Sequence, residues 1–388
     1  FSESIANMWR NIASNSLTII VVLLFLLSGL VVLAKSKYSS AGPLDRAICL
    51  QVEPGSSMSK VVDRLDAQGA LSNKSLFRIG TDYTDKSNNL KAGSYLIPAR
   101  ASMVDIAEQI TTSGRSTCGT EIIFRVGIAR STVLVRELDP TTKQYVEVAR
   151  FQLSIDPKPD VYDTKIEAQD TRIRLVIAEG TTSWRIVEAL KSIDILKDEI
   201  NSIPSEGSLA PGSYDIKRGD SRKSVASAIE QAQSEFLAQV WSERTAITPV
   251  GSEEELLILA SIIEKETGLG SERSQVASVF ANRLRKDMAL QTDPAVIYGI
   301  TQGKILLGRG LLKSELKKDT PWNTYLNKGL PLTPISNPGR DSLRAALTPD
   351  TTKYIFFVAD GKGGHAFSET YAEHQKNVKI WRAIEASK

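Results

Sequence analysis

Histidine and cysteine are scarce in this chain, with two of each among 388 residues. They show no zinc-finger or H-E-x-x-H spacing, so we expect no metal-based mechanism and no cofactor. A large charge of one sign is also lacking, because 48 basic and 45 acidic residues leave a net charge of +3. That value is too small to indicate a nucleic-acid partner. The length and the 41% hydrophobic content suit two or three domains with cores.

Charged residues are absent between Arg10 and Lys35, and residues 17–34 read LTIIVVLLFLLSGLVVLA. At about 1.5 Å per residue this run is long enough to cross the apolar core of a bilayer. A buried soluble helix would normally carry a polar face. A signal sequence cleaved near Ala41 would normally have a shorter apolar core. We therefore predict an uncleaved transmembrane helix at 17–34.

The orientation of this helix does not follow from its flanks. The basic residue before it, Arg10, is outnumbered by those after it, which weakly disfavours export of the C-terminal region. Cys49 and Cys118 both follow the helix and could pair in an oxidising compartment. Two unpaired, buried thiols are the equal alternative.

A weak internal repeat follows the apolar run. The segments VEPGSSMSKVVDRLDAQGAL and LKAGSYLIPARASMVDIAEQI are echoed by VIAEGTTSWRIVEALKSIDIL and LAPGSYDIKRGDSRKSVASAI. Each copy shows a strand, a glycine turn, an amphipathic helix, a G-S-Y strand and a second helix, which predicts two α+β modules, at 43–115 and 176–240. Between them, residues 116–175 contain stretches that alternate apolar and polar side chains with period two, which indicates a β-rich insertion.

The C-terminal region, 251–388, begins with an apolar helix that ends in E-K-E. We predict this helix at 253–267, with Ser252 as its N-cap. Glu264 and Glu266 are about 200° apart around such a helix, so they cannot form a close carboxylate pair. Glu266 continues the stripe of Leu256, Leu259 and Ile263, and a carboxyl beside apolar surface has the raised pKa of a general acid. The alternative is that both glutamates only solvate the end of the helix.

Polar residues after this helix are candidates for a substrate cleft. We expect Pro294 to hold Asp293 extended, next to Gln291, although Asp293 could equally cap the next helix. The loop WNTYLNKGLPLTPISNPG offers polar and aromatic groups suited to sugars, and Asn337 could instead cap the helix 339–347. The glycines of DGKGGH fit a hairpin turn better than a phosphate loop. The predicted substrate-binding residues are Gln291, Asp293, Asn323, Tyr325, Asn337 and His365.

Several of these motifs occur in an order that resembles a known family. LASIIEKETG, SERSQVASVFANRLRKDMALQTDPAVIYGI, WNTYLNKGLPLTPISNPGRDSLRAAL and YIFFVADGKGGHAFSETYAEHQKNV closely resemble the YceG-like (MltG) endolytic murein transglycosylases, over residues 256–378. The resemblance implies that Glu266 is the catalytic acid. It also implies a membrane anchor and LysM-like modules, with the catalytic region outside the cytoplasmic (inner) membrane, in the periplasm or its equivalent.

The reaction that this resemblance implies is non-hydrolytic cleavage of the β-1,4 bond between N-acetylmuramic acid and N-acetylglucosamine. One carboxyl protonates the leaving oxygen and then helps the muramyl 6-hydroxyl attack C1, which leaves a 1,6-anhydro end. Glycan strands are the expected partner, and peptidoglycan synthases or division proteins are further candidates. A hydrolytic muramidase and a non-catalytic wall-binding scaffold are the alternatives.

The prediction is therefore an α+β protein with an N-terminal transmembrane helix, LysM-like α+β modules with a β-rich insertion, and a C-terminal α+β catalytic domain. Its segments are a tail at 1–16, the transmembrane helix at 17–34, a first module at 43–115, the insertion at 116–175, a second module at 176–240 and the catalytic domain at 251–388.

Overall fold

The computed structural model describes residues 2–112, 117–168 and 171–387, with side chains from Thr18 onward. The described residues form, in order, α1 (Ser2–Ser39), β1 (Ile48–Val52), α2 (Met58–Ala67), α3 (Lys74–Tyr83), β2 (Gly93–Ile97), α4 (Met103–Thr112), β3 (Thr120–Val126), β4 (Ser131–Asp139), β5 (Gln144–Gln152), α5 (Asp160–Ile166), β6 (Arg172–Ile177), α6 (Ser183–Ser192), β7 (Gly212–Ile216), α7 (Arg222–Ser242), α8 (Glu253–Glu266), a 3-10 helix (Gly270–Glu272), α9 (Arg273–Arg285), α10 (Asp293–Thr301), α11 (Lys313–Leu316), α12 (Arg340–Leu347), β8 (Phe356–Ala359), β9 (His365–Ser368) and α13 (Tyr371–Ala386).

The chain divides into two compact units. Unit 1 comprises Phe1–Glu121, Val135–Ala149 and Asp160–Arg172, and unit 2 comprises Ile122–Leu134, Arg150–Pro159 and Ile173–Lys388. The predicted boundary at 115/116 lies outside the described residues, and the other predicted domain boundaries stay predictions.

Helix α1 contains the predicted apolar run. Within the part of the chain that the structure describes, the segment Thr18–Ser39 is long and apolar enough to cross a membrane, with a mean hydropathy of 2.6 and none of its hydrophobic window buried. The helix extends beyond both ends of the predicted 17–34 span, since its backbone is helical from Ser2 to Ser39. The side chains of the predicted tail, 1–16, lie outside the described residues.

The first module of the repeat lies in unit 1. Strands β1 and β2 pair antiparallel, with Leu50 opposite Tyr95, and α2 packs its buried residues Val61, Val62 and Leu65 beneath them. Cys49 and Cys118 form a disulfide with a Cα–Cα distance of 5.7 Å. Of the two alternatives for these cysteines, the structure therefore shows the paired one.

The second copy reproduces the first in detail. Strands β6 and β7 pair antiparallel with Leu175 opposite Tyr214, as Leu50 stands opposite Tyr95. Each tyrosine hydroxyl donates to the carbonyl four residues before it, at 2.9 Å for Tyr95 and 2.8 Å for Tyr214. The glycine of each G-S-Y strand has a φ of 154°. The internal repeat is therefore structural, while its likeness to LysM stays a prediction.

The predicted β-rich stretch contains the strands expected from its alternation. These are β3, β4 and β5, which join β6 and β7 in one five-stranded sheet of order β5-β4-β3-β6-β7. The inward positions of β3 and β4, among them Phe124, Val133 and Val135, are buried. The insertion thus shares its sheet with the strands of the second module.

Helix α8 contributes many residues to a hydrophobic core of unit 2. Leu256, Leu259, Ile262 and Ile263 are fully buried against α7, α9, α10 and α12. As predicted, Ser252 is the N-cap, and its side chain accepts from the Glu255 amide. The apolar surroundings fix the last turn of α8 firmly, so its end is a rigid support for side chains.

The end of the chain adds a hairpin and a helix. Strands β8 and β9 pair antiparallel, with Ala359 opposite His365, and the predicted turn of DGKGGH connects them. Gly361 and Gly363 have φ values of 78° and 97°, which glycine adopts without strain. The carboxylate of Asp360 accepts the Lys362 and Gly364 amides, so the loop needs no phosphate to order it.

Candidate active site

Glu266 is the last residue of α8, and its carboxyl lies in a polar cluster built from several elements of unit 2. Burial raises the pKa of this carboxyl, and the negative charge of Asp293 raises it further. Electrostatic interactions with His365 and Arg283 lower it. The Thr292 hydroxyl lies beside the carboxyl and also lowers its pKa. This hydroxyl is buried and forms no hydrogen bond of good geometry with the protein. A carboxyl with this balance holds its proton more strongly than a solvated glutamate.

Glu264 has a different environment, as the helical geometry predicted. Its Oε2 accepts from the Gly339 amide at 2.9 Å and from the Ser342 hydroxyl at 2.7 Å. Gly339 is the N-cap of α12, so the carboxylate stabilises the positive end of that helix. Glu264 thus faces neither solvent nor an ion-pair partner, and its role is to fix α12.

Lys265, between the two glutamates, points in a third direction. Its Nζ approaches the Gly180 carbonyl at 3.5 Å, and burial lowers its pKa. The nearby carboxylates of Glu264 and Glu206 counter this effect. The three side chains of E-K-E therefore connect α8 to α12, to the Gly180 loop and to the polar cluster.

Asp293 and Tyr325 meet at one side of the Glu266 carboxyl. The Tyr325 hydroxyl donates to Asp293 Oδ1 at 2.6 Å. Asp293 is exposed, and burial and the Asp293 charge raise the pKa of Tyr325. The expectation that Pro294 holds Asp293 extended is wrong. Asp293 is the first residue of α10, and the extended residue is Thr292, with φ −107° and ψ 122°.

Gln291 lies two residues before α10 and is exposed. Its φ of 52° is left-handed, and its amide donates to the Thr324 carbonyl at 3.0 Å. A non-glycine residue in this conformation carries a local energetic cost that the neighbouring structure must offset. Leu290 and Thr292 on either side of it are buried, whereas Gln291 itself is exposed.

His365 is held by a glutamate that the sequence did not point to. Its Nδ1 lies 2.8 Å from Glu272 Oε2, and its amide donates to Glu272 Oε1 at 3.0 Å. Both side chains are 17% exposed. The imidazole also meets the Phe357 ring edge-on, with 5.2 Å between centroids. The ring is thus fixed in orientation close to Glu266.

Asn323 and Asn337 occupy the interior, and neither is exposed. The Asn323 amide donates to the Leu316 and Lys318 carbonyls and accepts from the Tyr325 amide, so it shapes the loop that carries Tyr325. A direct sugar contact does not fit a side chain with this burial and these partners.

Asn337 joins three segments of unit 2. Its Oδ1 accepts the Leu209 amide at 2.8 Å, and its Nδ2 lies within hydrogen-bond distance of Thr181 O and Glu206 Oε1. The alternative that Asn337 caps α12 is wrong, because α12 begins at Arg340 with Gly339 as N-cap. A Cβ at Gly339 would overlap the Glu179 carboxyl, which explains a glycine there.

Arg283 is another site residue that the sequence did not indicate. It is buried, its Nε donates to the Ile355 carbonyl at 2.7 Å, and its Nη1 donates to the Leu290 carbonyl at 2.7 Å. The first bond fixes the approach to β8 and the second fixes the turn before Asp293. A run of arginine and lysine at the end of α9 gave no sign that one of them turns inward.

The structure thus brings together Glu266, Asp293, Tyr325 and His365 among the predicted residues, and adds Glu272, Arg283 and Thr292. Within the described ranges, no group of three or more His, Cys, Asp or Glu side chains is arranged to hold a metal ion. The cluster offers one proton-holding carboxyl, one solvated carboxylate, one oriented imidazole and a phenol. Such a set can transfer protons and bind hydroxyl groups.

Comparisons with known proteins agree on one family. The model of the YceG-like family matches residues 50–143 and 120–380. The endolytic murein transglycosylase of Bacillus subtilis (strain 168) is 29% identical over 328 residues, which cover 84% of this chain and 82% of that protein. The protein of the same name from Streptococcus pneumoniae serotype 2 (strain D39 / NCTC 7466) is 25% identical over 341 residues, covering 85% of this chain and 58% of that protein.

A solved structure is also similar. A crystal structure of a YceG-like protein from Listeria monocytogenes shares 27% identity and aligns with a TM-score of 0.45, covering 85% of this chain and 98% of that chain.

Proposed function

The chain belongs to the YceG-like family, and from that premise we propose that it is a membrane-anchored lytic transglycosylase that cuts within the glycan strands of peptidoglycan. The observation that carries the proposal is the Glu266 carboxyl, which ends a rigid apolar helix and has its pKa raised by burial. That is the state a general acid needs at neutral pH. The names of the Bacillus and Streptococcus relatives supply the substrate class.

The chemistry begins with Glu266. Its proton passes to the glycosidic oxygen as the C1–O4 bond breaks, and positive charge develops at C1 and the ring oxygen. The muramyl 6-hydroxyl then adds to C1, forming the O6–C1 bond and releasing its proton. Glu266, now a carboxylate, can accept that proton. The exposed Asp293 carboxylate, held by the Tyr325 hydroxyl, is placed to stabilise the positive charge.

A hydrolytic muramidase is the second candidate, because Asp293 places another carboxylate near Glu266. Hydrolases commonly use two carboxyl groups, one as acid and one as base or nucleophile. In that reaction water attacks C1 and leaves a reducing end. The two candidates therefore differ in their products, while both depend on Glu266. A non-catalytic wall-binding scaffold would make neither product and would not need the Glu266 carboxyl.

Two features of unit 1 support the proposed location. The candidate span Thr18–Ser39 would anchor the chain in the cytoplasmic membrane. The disulfide between Cys49 and Cys118 belongs to an oxidising environment, which favours placing the region after the anchor outside that membrane. An anchored endolytic enzyme would meet glycan strands as they are made and limit their length, with synthases or division proteins as candidate partners.

The test is product analysis with the full chain in detergent. We expect purified glycan strands to be cut internally, and mass spectrometry to find 1,6-anhydro ends. Glu266→Gln should lower the rate about 10³-fold, since the amide keeps the shape and has no proton to donate. Glu264→Gln is the matched control, because that carboxylate lies against α12. Reducing ends would move the assignment to the muramidase, and full activity of Glu266→Gln would contradict both.

A further inference from the structure

We propose that His365, oriented by Glu272, is the base that takes the proton of the attacking muramyl 6-hydroxyl. This inference rests on the proposed function and assigns the second half of its proton transfer. Glu266 would then act as the acid and would not have to serve as base within the same turnover.

The contacts of Glu272 determine which nitrogen of the ring is free. Its carboxylate accepts from the His365 amide at 3.0 Å and lies 2.8 Å from Nδ1. A carboxylate can only accept, so Nδ1 carries the hydrogen and the neutral ring has its lone pair on Nε2. The same arrangement of carboxylate and imidazole orients histidines that act as bases in other enzymes.

Nε2 is open to a ligand. Among the residues that the structure describes, no group forms a hydrogen bond to it, and it is absent from the set of fully buried polar atoms without partners. It is therefore accessible and unpaired. The ring cannot easily turn away, because Glu272 holds one edge and Phe357 packs against it at 5.2 Å between centroids.

The imidazole lies in the neighbourhood of the proposed acid. His365 is near enough to Glu266 to influence its carboxyl electrostatically. Asp293, the other candidate base, is exposed and is engaged by the Tyr325 hydroxyl. A solvated carboxylate with a hydrogen-bond donor is a weaker base than an imidazole with a free lone pair.

The step balances in atoms and charge. The Glu266 proton goes to O4 as the C1–O4 bond breaks, O6 forms a bond to C1, and the O6 proton goes to Nε2. The products are a glycan end bearing O4–H, an anhydro end, a Glu266 carboxylate and a His365 imidazolium. Proton transfer from His365 to Glu266 restores the starting state, so no co-reactant is needed. Leaving-group departure and internal attack can overlap, since different groups handle the two protons.

The first experiment uses His365→Asn in the full chain. The asparagine amide can still donate to Glu272, but nothing replaces Nε2. We expect kcat for glycan strands to fall about 10²-fold, with KM changed less than about threefold. Imidazole added to His365→Ala should restore part of kcat. The matched control is His374→Asn, which alters the other histidine, stacked on Phe356 at 5.0 Å, and should keep kcat within about twofold.

Glu272 is a positioning residue, and its test is a double-mutant cycle. Glu272→Gln should lower kcat, and the double variant with His365→Asn should be no slower than His365→Asn alone. If Glu272 had a purely structural role, the kcat loss of Glu272→Gln would add to that of His365→Asn in the double variant. Unfolding midpoints of all variants, measured in parallel, separate loss of folding from loss of chemistry.

Several results would overturn the proposal. Full kcat of His365→Asn would do so, as would a loss confined to KM. Failure of imidazole to rescue His365→Ala, together with a larger kcat loss in Asp293→Asn, would assign the base to Asp293. If the wild-type chain made no anhydro ends, the proposed function itself would fail, and that outcome is visible before any variant is tested.

Discussion

Glu264, Lys265 and Glu266 show how one turn of helix can give three adjacent side chains different environments. The spacing of two residues sends the glutamates to opposite sides, and the apolar body of α8 keeps the turn from moving. Glu264 reaches the N-terminus of α12, where amide donors stabilise its charge. Glu266 reaches a cluster where burial favours its protonated form. The same residue type therefore serves as a cap in one place and, in the proposed mechanism, as an acid in the other.

The first prediction at this scale concerns Glu264. Glu264→Ala should lower the free energy of unfolding by about 1–2 kcal/mol, because the Gly339 amide and the Ser342 hydroxyl lose their acceptor at the start of α12. Denaturant unfolding monitored by circular dichroism measures the loss. Glu264→Gln, which keeps an acceptor oxygen, should lose less. Equal stability of the alanine variant and the wild type would contradict the capping role.

At the scale of elements, the sequence identified some features and missed others for physical reasons. Local patterns predicted the N-cap Ser252, the strands β3 to β5 and the turn of β8 and β9, because each depends on neighbours in the chain. The hydrogen bonds of Asn337 could not be predicted, because its partners Thr181, Glu206 and Leu209 are far away in sequence. Arg283 and Glu272 were missed for the same reason. The proposed acid could be predicted from one helix, whereas its neighbours could be identified only in the folded structure.

Helix α6 illustrates such a long-range contact. The Glu206 carboxylate accepts the Ser183 amide, at the first residue of α6, at 2.8 Å, and also lies 3.2 Å from Asn337 Nδ2. Burial raises the pKa of Glu206 to about 6 from its ordinary 4.5, because desolvation outweighs the hydrogen bonds from Ser183 and Tyr298. The proton is thus held more tightly in the folded chain than in the unfolded chain.

The second prediction follows from the sign of this shift. Below about pH 4.5 the Glu206 carboxyl is protonated in both states, and its contribution to stability is fully present. As pH rises through about 6, the folded state must ionise a buried group, and up to about 2 kcal/mol is lost. Glu206→Gln should therefore gain stability relative to the wild type between pH 4 and pH 8. Denaturant unfolding at both values measures the gain.

The control for this prediction is Glu199→Gln, which removes one exposed carboxylate from the same unit. It corrects for the change in net charge. After this correction, the stability difference between Glu206→Gln and the wild type could be the same at both pH values. That result would show that Glu206 ionises normally in the folded chain.

At the scale of the whole molecule, the disulfide and the apolar helix support the proposed location in an oxidising space beside a membrane. The two β-α-β modules share register and tyrosine contacts, but the first has only a two-stranded sheet whereas the second belongs to a sheet of five. A small sheet buries less apolar surface, so a covalent link contributes more there. Cys118 also lies against β2, since its amide donates to the Ser94 carbonyl at 3.1 Å.

The third prediction concerns this link. The disulfide joins residues separated by 69 positions, and closing a loop of that size removes entropy from the unfolded chain worth about 4 kcal/mol. We expect the double variant Cys49→Ser with Cys118→Ser to lose up to about that much stability in unit 1. Hydrogen exchange should show faster exchange of amides in β1, β2 and α2, with the amides of α8 as internal reference.

The same cysteines test where unit 1 resides. In cells, a thiol-reactive reagent that adds mass should label neither cysteine before reduction and both after it, because an exported chain oxidises its pair. A variant that lacks residues 1–39 should remain in the cytoplasm with both thiols labelled. Labelling of the full chain without reduction would place unit 1 in a reducing compartment, which contradicts the proposed location. It would leave the chemistry of Glu266 untouched, since that carboxyl belongs to unit 2.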